Sequence, residues 1–189
     1  METLIGVLVG IGLSAASGLR VFIPLLGLSV AGHYDVIPLG ESFQWLASWQ
    51  AMLAFAVASV LEVGAYYIPW LDHALDAVLA PVAAVAGTLM TASTLGDTSP
   101  LLKWSFAIIA GGGVSSIVHM GTSALRAAVS LPTGGLANPV VSSGEGLGAI
   151  VLTLLALFLA PLAFIIVLWM LYRIVKRFRQ RLAGPTQDT

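Results

Sequence analysis

Residues 10–20, GIGLSAASGLR, place an arginine and a run of small residues inside an apolar stretch that extends from Leu4 to Ala31. A guanidinium in hydrocarbon costs at least ~2.5–3.5 kcal/mol on the most lenient insertion scale, so Arg20 needs a buried partner, a wet cavity or a route to the headgroups. The stretch therefore points to a membrane helix bundle with a polar interior.

Composition agrees. The 189 residues are 58% hydrophobic and 9% charged, against about 25% charged in soluble domains, and the mean hydropathy is +0.98. The length suits one transmembrane domain, residues 1–175, followed by a basic cytoplasmic tail, 176–189. A net charge of -1 gives no sign of a nucleic-acid partner. The lack of cysteine removes disulfides, thiol nucleophiles, iron–sulfur clusters and cysteine zinc sites. The first stretch has no basic n-region and is too long for a signal h-region, so it reads as a retained span.

Five continuous apolar stretches can each cross a bilayer, whose ~30 Å core takes about 20 helical residues: Leu4–Ala31, Trp45–Trp70, Leu75–Leu95, Leu101–Leu131 and Leu147–Tyr172. A barrel would alternate in segments of about ten residues. The fold class is thus all-α, a polytopic bundle of about five spans, or six if a long stretch is broken or re-entrant. Two stretches are long and carry helix-weakening residues: Ser14, Ser17 and Gly18 in the first, Gly111–Gly113, Ser115 and Ser116 in the fourth. Close helix packing explains any one of these glycines more simply, as it does the Gly6–Gly10 spacing.

Asp72, after Pro69 and Trp70, reads as the N-cap of the third helix, and Ser99 before Pro100 as that of the fourth. Asn138–Pro139 marks a loop running through Ser142, Ser143 and Gly144, with Glu145 in the first turn of the fifth helix. Arg173, Lys176, Arg177, Arg179 and Arg181 place the C-terminus on the cytoplasmic side. Five crossings then put Lys103 inside, and the N-terminus and the loops around Asp72 and Asn138 outside; a re-entrant pair reverses the N-terminus.

Ser17-Gly18-Leu19-Arg20 matches Ser123-Ala124-Leu125-Arg126, with Glu41 and Glu145 following the two arginines at similar distances. This suggests repeat units 4–70 and 101–172 around a linker span 73–95. An odd number of crossings between equivalent helices would make the repeat inverted, as in many transporters.

Arg20, Glu62 and His119 are the ionisable residues deep within predicted spans. Glu62 should meet Arg20 or His119, as a structural pair or as an ion-handling centre. Ser14 and Ser17 join this polar centre, as does Arg126, which is nearer a helix end and could snorkel. Asp72, Asp76, Asn138 and Glu145 form a second set at the outer face. Asp72 and Asp76 share a helix face but His73 points about 100° away, so helix capping explains the aspartates better than a metal does. The sequence contains no nucleophile elbow, zinc-protease motif or phosphate loop. Catalytic residues, metal ligands and a cofactor are therefore not assigned.

The segments GLSAASGLRVFIPLLGLSVAG, LEVGAYYIPWLDHALDAV, GDTSP, GGGVSSIVHMGTSALRA and NPVVSSGE, in this order, resemble the bacterial membrane family catalogued as domain of unknown function 4126. The resemblance covers nearly the whole chain. It implies a multi-pass domain in the bacterial cytoplasmic (inner) membrane and transfers no substrate. Its motif positions are Arg20, Glu62, Pro69, Asp72, Asp76, Asp97, His119, Arg126, Asn138, Pro139 and Glu145.

The functional expectation is a small transporter or channel-like protein for an ion or a small polar or anionic solute. Alternatives are a lipid-binding or lipid-modifying protein with an outer-face polar site, and a structural accessory subunit; the balance falls against an enzyme. The expected partners are the lipid bilayer and an ion or small solute, and a homodimer is compatible with so small a bundle.

Overall fold

The computed structural model describes the backbone of residues 2–65, 69–96, 98–133 and 138–182, and the side chains of 3–65, 75–96, 98–129 and 139–180. The described residues form α1 (Glu2–Leu19), α2 (Phe22–His33), a 3-10 helix (Glu41–Ala47), α3 (Trp49–Ala65), α4 (Pro69–Thr94), α5 (Pro100–Phe106), a π-helical turn (Ala107–Gly112), α6 (Gly113–Thr133), α7 (Asn138–Phe158) and α8 (Ala160–Leu182). The bundle is all-α, as its sequence indicates.

Helix α1 is the axis. Every residue from Val9 to Gly18 is buried, which requires neighbours on all sides and an apolar, small-residue surface all round. A Cβ added to Gly10 would lie 2.9 Å from Thr91 Cα on α4, one on Gly12 2.7 Å from Ala156 Cβ on α7, and one on Gly18 2.6 Å from the Ser115 carbonyl on α6. Hydroxyls bind the same seam. Ser14 Oγ donates to the Gly87 carbonyl at 2.8 Å and lies 2.9 Å from Thr91 Oγ1. Ser17 Oγ and Ser115 Oγ are 2.9 Å apart, and Ser115 Oγ also donates to the Ala83 carbonyl at 2.7 Å.

The first apolar stretch is broken. α1 ends at Leu19 and α2 starts at Phe22. Gly12 faces Ala156 of α7 while Gly27 faces Thr153 of the same helix. In a straight helix those glycines would stand about 22 Å apart at 1.5 Å per residue, so the chain reverses at Arg20–Val21 and α1–α2 is a hairpin inside the bundle.

The last stretch is divided as well. α7 and α8 are separated by Leu159 alone, just before Pro161, which has no N–H to continue the ladder. Gly12 is close to both Ala156 and Ala163, and Gly148 and Met170 line one cavity, so α8 turns back beside α7. The beginning of α7 and the basic end of α8 therefore lie at one end of the bundle; placing Asn138 and the C-terminal basic run on opposite faces required an unbroken last span.

Because the first stretch is divided and the second is bent, fewer helices than the expected five are long and apolar enough to cross a membrane by themselves. Among the described residues these are three, Leu75–Thr94, Pro100–Val129 and Pro139–Phe158, or four when the 3-10 helix and α3, bent by 59°, count as one. The fourth stretch is continuous. Its π turn brings Gly112 against α4, where a Cβ would be 2.6 Å from Thr88 Oγ1.

Helix starts also differ from the reading of local signals. α4 already begins at Pro69, which places Asp72 within the helix and not at its N-cap. α7 begins at Asn138, so Ser142–Gly144 are helical and Glu145 lies two turns in; proline near a helix start pre-sets the backbone, and membrane helices accept the glycines that follow. Ser99 does cap α5 by position, with Pro100 following.

Candidate functional site

At the tip of the α1–α2 hairpin, side chains from five segments meet. Arg20 is 1% exposed and Arg126 is 3% exposed. From the break after α1, Arg20 Nη2 donates to the Ser142 carbonyl at 3.0 Å and to Ser142 Oγ, and stands 3.6 Å from Glu145 Oε2. From α6, Arg126 Nε lies 3.2 Å from Glu145 Oε1, and its Nη2 lies 2.7 Å from Asp76 Oδ1 on α4. Glu145 thus bridges two guanidiniums, one to each oxygen.

Glu62 of α3 closes the group from the other side. Its Oε1 accepts the Val21 N–H at 2.8 Å and its Oε2 the Phe22 N–H at 3.0 Å. Those amides open α2, where no preceding turn supplies acceptors and the helix dipole favours an anion. Arg20 and Arg126 add positive potential at the same carboxylate. Two guanidiniums and three carboxylates, Glu62, Asp76 and Glu145, are gathered here. Buried charges of this kind persist only when paired and hydrogen-bonded.

The sequence divided these residues into a polar centre and an outer-face set. The structure brings Arg20, Glu62, Arg126, Asp76 and Glu145 into one cluster. His119 sits beside it, its Nε2 3.4 Å from the Asp76 carbonyl, and not against the Glu62 carboxylate. Ser14 and Ser17 belong to the seam of α1 with α4 and α6. Glu41, the carboxylate paired with Arg20 in the repeat, is exposed on the 3-10 helix. The side chains of Asp72, His73 and Asn138, and residue Asp97, lie outside the described residues.

Ser142 is the member that sequence reasoning missed, because it was read as loop. On a helix starting at Asn138, Ser142 and Glu145 are three residues apart and share a face; that S-x-x-E spacing was the available signal. Beside Glu145 lies a cavity of about 550 Å³, lined by Thr122, Gly144, Gly148, Leu152 and Met170 among others, between α6, α7 and α8. Chemically, the cluster can hold an anion against two guanidiniums or exchange a proton among three carboxylates, with an adjoining opening.

No curated protein and no solved structure matches the chain. The family model described as Domain of unknown function (DUF4126) matches residues 7–177, nearly the full sequence and all the residues of the cluster. The chain therefore belongs to the DUF4126 family.

Proposed function

We propose that this membrane protein is a small transporter or channel-like protein for an ion or a small polar or anionic solute, with Arg20, Glu62, Asp76, Arg126 and Glu145 as its central site. One observation carries the reading: five ionisable side chains from five segments meet, shielded, where a helix is broken. Charge inside a membrane bundle is costly and marks ion or substrate paths, and the open N-terminus of a half-helix is a recurrent anion seat in transporters. Here the Glu62 carboxylate occupies that seat, and a cavity opens beside Glu145 at another edge of the cluster.

Of the eight Lys and Arg residues, five crowd the end of α8. The positive-inside tendency puts that end, and with it the cluster, toward the cytoplasmic face of a bacterial inner membrane. The test is flux in sealed proteoliposomes under imposed pH and salt gradients. The parent protein should carry protons or ions, and a folded Glu62→Gln variant should lose at least ten-fold of that flux. Absence of flux in the parent under every gradient, with monodisperse protein, would overturn the reading in favour of an accessory or lipid-directed role.

A further inference from the structure

A second cavity, of about 350 Å³, opens between α6 and α8. Gly121, Ala124, Leu125 and Ala128 form its α6 side, at the spacing of one helix face. Small residues at three of these four positions leave the groove in place; at Gly121 even a methyl group would come 2.8 Å from Ile174 Cδ1. The α8 side carries Trp169, Arg173 and Arg177, again four residues apart, with Met170 and Ile174 beside them. The Arg173 guanidinium lies 5.3 Å over the Trp169 ring, a stacking that orients it along the groove edge. Among the described residues, no carboxylate lines the groove.

The charge on this groove is of one sign. It stands at the end of α8 where Lys176 and Arg179 add further positive charge, and its depth is apolar. Trp169 is 59% exposed, as befits an aromatic side chain at headgroup level. An occupant must be apolar along its length and anionic at one end, and a basic pocket between transmembrane helices is suited to a lipid phosphate.

We propose that the α6–α8 groove binds an anionic phospholipid, its phosphate between Arg173 and Arg177 and one acyl chain along Gly121, Leu125 and Met170. The groove borders the cavity beside Glu145, sharing Leu125 and Met170 with it, but it takes no residue of the buried charge cluster and does not depend on transport.

The experiment is native mass spectrometry of the full-length protein in detergent, titrated with phosphatidylglycerol or with phosphatidylcholine of the same chains. The parent should retain phosphatidylglycerol at least ten-fold more than phosphatidylcholine. An Arg173→Gln/Arg177→Gln double variant should lose that preference while its thermal midpoint stays close to the parent's, since both arginines are exposed. Ala124→Leu, which fills the groove without touching charge, should lower retention of both lipids. Equal retention of the two lipids by the parent, or an undiminished preference in the double variant, overturns the proposal. If the double variant does not fold, Ala124→Leu decides: unchanged phosphatidylglycerol retention in it overturns the proposal equally.

Discussion

Arg126 and Glu145 face each other at 3.2 Å, Nε to Oε1, across the contact of α6 with α7. The other oxygen of Glu145 is directed at Arg20, 3.6 Å away, so one carboxylate joins three helical segments. Removing that carboxylate takes one ionic partner from each of two buried guanidiniums, leaving Arg20 on Ser142 and Arg126 on Asp76.

Glu145→Ala should therefore destabilise the fold by about 3–5 kcal/mol, the range for breaking a buried pair from one side. An Arg126→Met/Glu145→Leu double variant should cost less than the sum of its single variants, because their mutual contact is lost only once; the loss of Arg126 to Asp76 and of Glu145 to Arg20 keeps it less stable than the parent. Equilibrium unfolding in detergent, arranged as a double-mutant cycle, measures this; additive costs would show that the two residues act independently.

At Glu62 the acceptor matters more than the charge. Glu62→Ala removes the partner of both the Val21 and the Phe22 N–H and should cost about 1–3 kcal/mol for each stranded donor. Glu62→Gln keeps one carbonyl oxygen and should cost clearly less. Hydrogen exchange at Val21 and Phe22 reports it directly, with faster exchange in the alanine variant than in the glutamine variant.

Glycines packed against a neighbouring helix should divide from glycines that face open space. Gly10→Val forces side-chain atoms into Thr91, and Gly18→Val into Ser115 and Val118, so each should lose at least ~1–3 kcal/mol, the overpacking range. Gly113, beside which a Cβ meets nothing within 4 Å, should accept alanine with a gain of about 0.5–1 kcal/mol from helix propensity. Thermal midpoints of the three variants in one detergent test the division.

The interhelical hydroxyls should matter little one at a time. Ser17→Ala removes the contact with Ser115, and such bonds between membrane helices average about 0.6 kcal/mol, with a maximum near 1.7. A larger loss would mean that Ser17 also holds the helix end that carries Arg20.

Helical, membrane-embedded character was legible because it rests on long apolar runs, and so was the importance of Arg20, which rests on the cost of burying charge. The reversals at Arg20–Val21 and Leu159 were harder to read. Hydropathy is blind to direction: Leu4–Ala31 is as apolar folded back on itself as it is straight. Pro161 was a visible sign of the second reversal, but proline inside a helix does not always break it, as Pro81 within α4 shows. The cluster was half legible. Its members were singled out by residue type, yet Asp76 and Glu145 were assigned to helix starts by local capping signals, whereas tertiary pairing with Arg126 determines their role. Ser142 was hidden by the same loop reading that displaced Glu145.

The hairpin tip also constrains how the protein is made. Arg20 leaves the ribosome early, but Ser142, which takes two of its hydrogen bonds, follows 122 positions later. At roughly 5–20 residues per second, about 6 to 24 s pass between the two. Throughout that interval the nascent N-terminal segment holds a cation without its Ser142 and Glu145 partners, so its final seating belongs to the late stage of biogenesis, after the insertion machinery has released α7. A chain truncated before Ser142 should leave that segment at the membrane surface, open to protease, where the full chain protects it.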